Sequence, residues 1–222
     1  MTVPAEDPDP NSVVGHRAPP GPVQRIGLRA GAGTLIVAAL ALGGAIANWR
    51  PVNGGAAEAR ERPFVQAGRF GETVTTRQFD AAVLSVRGAA KVAGGGQAYD
   101  TAGVWIVLRV RLTTREKATS IGYAALRDQR GREFRATTRF TQSLVGAGRV
   151  LQPGIPVEGD LAFEVPRDAA TRLSAHFAQQ QVDLRMDDLA EVPLPAVDRA
   201  RVDEWANAPA PVPLASAAAV TP

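Results

Sequence analysis

Hydrophobic and polar positions divide this chain into three regimes. Residues Met1 to Arg29 are rich in proline, glycine, aspartate and small side chains and show no apolar period, which predicts a disordered tail (1–29). From Ala30 to Trp49 charge disappears for twenty residues. A helix of that length spans roughly 30 Å, the thickness of a bilayer's hydrocarbon core. Leu35, Ile36, Val37, Leu40, Leu42 and Ile46 are its strongly apolar members, and Trp49 stands where an indole prefers the membrane interface. Residues 30–49 are therefore predicted as a transmembrane signal anchor. A cleaved signal peptide is the second reading, because Ala45-Ile46-Ala47 fits a small-x-small cleavage site. A buried helix of a soluble domain is the third.

Beyond a linker over 50–63 the period changes to two, the signature of half-buried strands. In Val104 to Leu112 the residues Val104, Ile106, Leu108, Val110 and Leu112 share one face, and Trp105, Val107, Arg109 and Arg111 the other. In Val157 to Val165, Val157, Gly159, Leu161, Phe163 and Val165 alternate with Glu158, Asp160, Ala162 and Glu164. Shorter candidates are Glu72 to Thr75, Phe79 to Val86, Ala124 to Asp128, Glu133 to Thr137, Leu173 to Phe177 and Val182 to Met186. Asp128-Gln129-Arg130-Gly131 reads as a hairpin turn and Pro153-Gly154 as a type II turn. Ala93 to Gly103, with three consecutive glycines, reads as a long flexible loop. About eight short strands over 64–195 imply an antiparallel β-sandwich. A short helix is expected over Ala196–Trp205, and the Ala/Pro-rich end, 206–222, is expected to be disordered.

Composition and charge narrow the partners. A net charge of +3, with no basic stripe interleaved with aromatics, is too small a footprint for nucleic acid. Cysteine is absent, which excludes disulfides, thiolate metal sites and a thiol nucleophile. Arg17, Arg25 and Arg29 precede the uncharged run and Arg50, Arg60 and Arg62 follow it, so the positive-inside count is a tie. Either of the first two readings of the run nevertheless exports the C-terminal domain. The expected localisation is the cell membrane, single-pass, with that domain outside the cytoplasm.

Leu151-Gln152-Pro153-Gly154, followed by Val157, Gly159, Phe163, Val165 and Pro166, resembles the L-x-P-G, V-x-G, F-x-V-P signature of a family. The family is that of small immunoglobulin-like extracytoplasmic domains of bacteria, relatives of the mycobacterial immunoprotective secreted antigens. Val104 to Leu112 and then Tyr123, Leu126, Asp128 and Gly131 follow in the same order, so the resemblance covers roughly 64 to 190. A departure is Thr113-Thr114-Arg115, where the family pattern has an asparagine. The resemblance implies an immunoglobulin-like sandwich and no catalytic residue.

Candidate chemistry is sparse. His16 lies in the tail, and His176, in a predicted strand, reads as a solvated or hydrogen-bonded surface residue. Asp183, Asp187 and Asp188 lack calcium-loop spacing and read as a solvated strand edge. Gly94-Gly95-Gly96 is not followed by the Gly-Lys-Ser/Thr of a phosphate loop, and Ser143 lacks the flanking glycines of a nucleophile elbow. No cofactor or metal is implied, and the chain is expected not to be an enzyme. The uneven feature is a cluster of Arg127, Arg130, Arg132, Arg135 and Arg139, opposed in sequence only by Asp128 and Glu133. Its plain reading is a solvated hairpin; its sharper reading is a surface for lipid headgroups, an anionic envelope polymer or an acidic protein. Trp105, outward by alternation, is a second candidate contact unless a loop or the 196–205 segment covers it. Two function classes remain, an anchored binding or accessory module and a secreted enzyme, and the missing catalytic pairings favour the first. Expected partners are membrane lipid, through the anchor, and a protein or anionic envelope component; oligomeric state is left open.

Overall fold

The computed structural model describes residues 61–139, 144–146 and 149–221. The uncharged run 30–49, the tail before it, most of the linker and Ser143 lie outside the described residues. Among the described residues no helix is long and apolar enough to cross a membrane.

The strands are β1 (Phe64–Ala67), β2 (Thr73–Thr75), β3 (Phe79–Gly94), β4 (Gln97–Thr114), β5 (Tyr123–Asp128), β6 (Glu133–Arg135), β7 (Val157–Val165), β8 (Leu173–Ala178), β9 (Asp188–Pro193), β10 (Val212–Pro213) and β11 (Ala218–Ala219). A helix, α1 (Arg199–Asn207), lies between β9 and β10. One sheet has the order β1-β9-β8-β5-β6; the other is β10-β3-β4-β7-β11, with β2 also paired to β3. The two sheets face each other as a β-sandwich. Alternation drives the packing: Ile106, Leu108 and Leu112 of β4, Leu161 and Phe163 of β7, Leu126 of β5 and Phe177 of β8 are all fully buried in one core. β4 and β7 pair from Val104 opposite Val165 to Leu112 opposite Val157, so their apolar faces coincide.

The sheets are mixed rather than purely antiparallel, because β1 runs parallel to β9 and β10 parallel to β3. Expected strand Val182 to Met186 is absent. The Asp183 carboxylate accepts the Arg185 amide (3.1 Å), and Asp187 accepts those of Gln180 (2.7 Å) and Asp188 (2.8 Å), so side chains satisfy the backbone in place of a ladder. The strand starts later, as β9. Asp187 and Asp188 are buried instead of forming a solvated edge. Ala93 to Gly103 is not a flexible loop. Strand continues on both sides of Gly95 (φ +61°) and Gly96 (φ +83°), the two positive-φ positions of a type I′ hairpin turn.

That hairpin bends over the outside of its own sheet. Ala89 pairs with Trp105 and Lys91 with Asp100, leaving Ala90 opposite the segment Thr101–Val104. The bend brings Val92 and Tyr99 onto Trp105 and Val107, and the Trp105 indole Nε1 donates to the Tyr99 carbonyl at 3.0 Å. Trp105 does face away from the main core, as alternation predicts, yet it is 0% exposed. What covers it is the hairpin tip together with Val212 and Leu214 of the C-terminal segment.

The described part of 206–222 is therefore ordered, contrary to the expectation of a disordered tail. The helix also sits later than 196–205: the Asp198 carboxylate caps the Arg201 amide (2.8 Å), and Val202 and Ala206 bury in the main core. Trp205 lies flat on Gly88, where an added Cβ would stand 1.9 Å from the indole. The chain then adds β10 to the β3 edge and β11 to the β7 edge. Such residues carry no apolar period because their contribution is backbone pairing.

Strand direction gives the sandwich two ends. At the proximal end are the start of β1, the loop before β9, the exit of β4 and the approach to β7. At the distal end are the β5–β6 turn and the β7–β8 connection. Along the nine residues of β7 these ends stand about 30 Å apart at 3.3–3.4 Å per residue.

Candidate functional site

Asp128 organises the distal end. Its carboxylate accepts the amides of Arg130 (2.9 Å) and Arg132 (2.8 Å) and the Arg132 Nε (2.6 Å), while Gly131 takes φ +78°. Burial pushes the Asp128 pKa upward, but these donors prevail and hold it below the ordinary carboxylate value. The turn is thus held from within by a charge that two backbone N–H groups and a guanidinium satisfy.

The five arginines do not form one patch. Arg127 (3.6 Å) and Arg135 (2.9 Å) flank Glu133 on the outer face of the first sheet, and Arg135 also lies over the Tyr123 ring. Burial and the Glu133 charge push the Tyr123 hydroxyl up to about 12. Arg130 (3.8 Å) and Arg132 (2.8 Å) instead converge on Asp168 of the β7–β8 connection. Arg139 reaches Glu164 of β7 at 3.4 Å. Sequence neighbours supplied only Asp128 and Glu133; the fold adds Glu164 and Asp168, so most of the cluster's charge is locally balanced. Trp105 is fully buried and presents no contact surface.

Between these groups lies a groove of about 500 Å³, walled by Thr101–Gly103 of the bent hairpin, Phe134 of β6, and Glu164, Val165, Pro166 and Arg167. Its hairpin wall is closely set, since a Cβ at Gly103 would stand 2.3 Å from the Val165 carbonyl oxygen. Arg132 stacks over Phe134 at 5.9 Å, Arg139 and Glu164 stand at one rim, and Arg130, 77% exposed, stands beyond Asp168. Arg167 is exposed and, among the described residues, pairs with no acid. The site is an apolar slot with guanidinium groups at its margin. Sequence reasoning found the arginines but not the slot. Its walls come from four separate strands and connections, and only the alternation that turns Glu164 outward was legible.

Two further polar constellations stand out among the described residues. His176 is buried, not solvated, with Nε2 at 2.9 Å from Ser174 Oγ and 3.5 Å from Glu191 Oε1. Burial lowers its pKa against the pull of Glu191. Both neighbours share one ring nitrogen, whereas a catalytic triad needs the nucleophile and the orienting acid on opposite nitrogens. On the outer face of the second sheet, Arg87 (2.6 Å) pairs with Asp160, and Arg109 (3.2 Å) and Arg111 (2.7 Å) with Glu158. Asp160 also accepts the Ala215 amide at 2.8 Å, which ties down the C-terminal segment. Among the described residues no group of three histidine or acidic side chains is placed to hold a metal ion.

Comparison with known proteins gives likenesses of fold. An uncharacterised β-sandwich protein of Clostridium difficile 630 is similar at 9% identity, over 61% of this chain and 97% of that one, with a TM-score of 0.40. The yjhA protein of Bacillus subtilis is similar at 16% identity, over 56% and 98%, with a TM-score of 0.41. The secreted protein MPT63 of Mycobacterium tuberculosis is similar at 16% identity, over 59% and 98%, with a TM-score of 0.44. No protein-family profile and no curated protein matches the chain.

Proposed function

We propose that the chain is a membrane-anchored, extracytoplasmic binding or accessory module of immunoglobulin-like type, whose distal end meets an acidic protein segment or an anionic envelope component. The observation that carries this reading is the apolar groove lined by Arg167, with exposed Arg130 paired to the neighbouring Asp168. Arg132 and Arg139 already serve Asp128, Asp168 and Glu164 within the fold, so recognition falls to the less committed guanidiniums. An apolar slot with a few convergent charges suits an extended chain whose acidic groups meet the rim. In this reading residues 30–49 hold the module at the cell membrane, and no reaction is assigned to it.

The test is binding of the full chain to immobilised polyglutamate, a plain model of an acidic segment. Wild type should be retained and should elute as salt rises, because exposed charges are screened over roughly 8–10 Å at 0.10–0.15 M ionic strength. Arg130→Glu combined with Arg167→Glu should lose retention while unfolding like wild type, since neither residue anchors a buried group. Unchanged retention would remove the distal end from consideration.

A further inference from the structure

Exposed apolar side chains are ordinary when scattered, and informative when they converge. Among the described residues the exposed large hydrophobics are Phe64, Val65, Val150, Ile155, Val182 and Met186. All six sit at the proximal end, and none lies beside the groove. Phe64 and Val65 open β1. Val182 and Met186 belong to the loop before β9, which is stitched to the start of the domain by Met186 N–H to the Arg62 carbonyl (3.3 Å) and Phe64 N–H to the Asp187 carbonyl (2.8 Å). Val150 precedes Leu151, which is bridged to Thr119, and Ile155 follows Gly154, whose amide bonds the Thr114 carbonyl at 2.9 Å. Both segments are thereby held at the exit of β4.

Two features say more than exposure. Val182 is 84% exposed and Met186 51% exposed, and Met186 has φ +61°, a left-handed conformation that costs a side-chain-bearing residue energy. Methionine offers no local hydrogen bond that would favour that conformation, as asparagine or aspartate would. The loop is also shaped rather than loose. Arg185 grips Asp183 at 2.6 Å, which holds that carboxyl down to about 2, so charge within the loop is internally paired. The second feature is tethering. The chain joins the domain at this end, and at most about 50 Å of fully extended backbone separates Trp49 from Phe64.

We propose that the proximal end is a membrane-resting surface, with Val182 and Met186 inserted among the headgroups of the bilayer and Phe64, Val65 and Ile155 at the rim of the contact. The proposal starts from the anchored reading above and adds an orientation: the groove points away from the membrane. Because Arg185 is matched by Asp183 and Arg77 by Asp188 (2.7 Å), the loop that carries Val182 and Met186 attaches by apolar insertion and not by its own charge.

The chain has no cysteine, so single thiols report cleanly. Val182→Cys and Arg130→Cys, each in the full chain, are labelled with an environment-sensitive fluorophore and reconstituted into phosphatidylcholine vesicles carrying a doxyl-labelled lipid. The expected result is a blue-shifted, strongly lipid-quenched probe at position 182 and a water-exposed, unquenched probe at 130, with no change on adding salt. Equal exposure of the two probes overturns the proposal. So does a probe at 182 that is shielded without lipid quenching, which would place a second copy or a protein partner on this surface. Alkaline carbonate extraction separates the two readings. A chain that stays with the bilayer while its 182 probe remains in water keeps the anchor and loses the surface. A chain that is extracted yet shows lipid quenching at 182 on fresh vesicles keeps the surface and loses the anchor.

Discussion

At the scale of single residues the structure separates side chains that hold the fold from those free to do something else. Phe163 is fully buried where β7 faces the first sheet. Phe163→Ala should cost about 3–5 kcal/mol, the usual consequence of emptying an aromatic core position, and urea unfolding would show it as a lower midpoint. Asp128 is a different kind of support. Its folded pKa lies below its unfolded value, so the stability it contributes is present above about pH 4. That contribution is lost as pH falls through the depressed folded value. Asp128→Asn should therefore be less stable than wild type near neutrality, and the gap should close as the solution is acidified below pH 4. A gap that stays constant with pH would mean that the carboxylate's charge does not matter to the turn. Arg132 shares the same network, so Arg132→Glu would set a third carboxylate beside Asp128 and Asp168, and should unfold at lower urea than Arg130→Glu.

Elements show what a period can and cannot convey. β4 and β7 were legible in the sequence because each buries one side against the same core, and period two is the direct trace of that. β9 was missed because Leu189-Ala190-Glu191-Val192 is short and ends at Pro193, while the better-looking Val182 to Met186 is held in a looped form by its own aspartates. The hairpin tip and the C-terminal strands were missed for a shared reason: glycine, alanine and proline can pair a backbone without signalling a face. Alternation assigned Trp105 to the correct side, but no local pattern says that Val212 and Leu214, a hundred residues later, will cover it. The arginine cluster was visible, whereas the acids Glu164 and Asp168 that answer it come from a distant strand and connection. A boundary at Pro195 is accordingly too early. A chain ending at Pro195 lacks Val202 and Ala206 from the main core and both edge strands. It should lose its cooperative unfolding transition, while one ending at Thr221 should keep it. Calorimetry on the two would decide the matter.

For the whole molecule, the anchored reading predicts that the chain stays with the membrane fraction through alkaline carbonate, because an uncharged helix of twenty residues partitions into lipid almost permanently. A soluble species whose first residue is Asn48 would show instead that Ala47 ends a signal peptide. Under the two proposals the ends of the sandwich have separate tasks, one resting on lipid and one offered to a partner. The C-terminal segment adds a constraint of a different kind, on the order of events during synthesis. Trp105 is sheathed, and the edges of β3 and β7 are paired, by residues 212–219, which leave the ribosome after every strand they cover. The sandwich therefore cannot reach its finished state until residues 212–219 have been made. In the exported reading proposed above that delay is useful: the domain stays loose enough to pass a narrow channel, and it closes only when residues 212–219 have arrived on the far side.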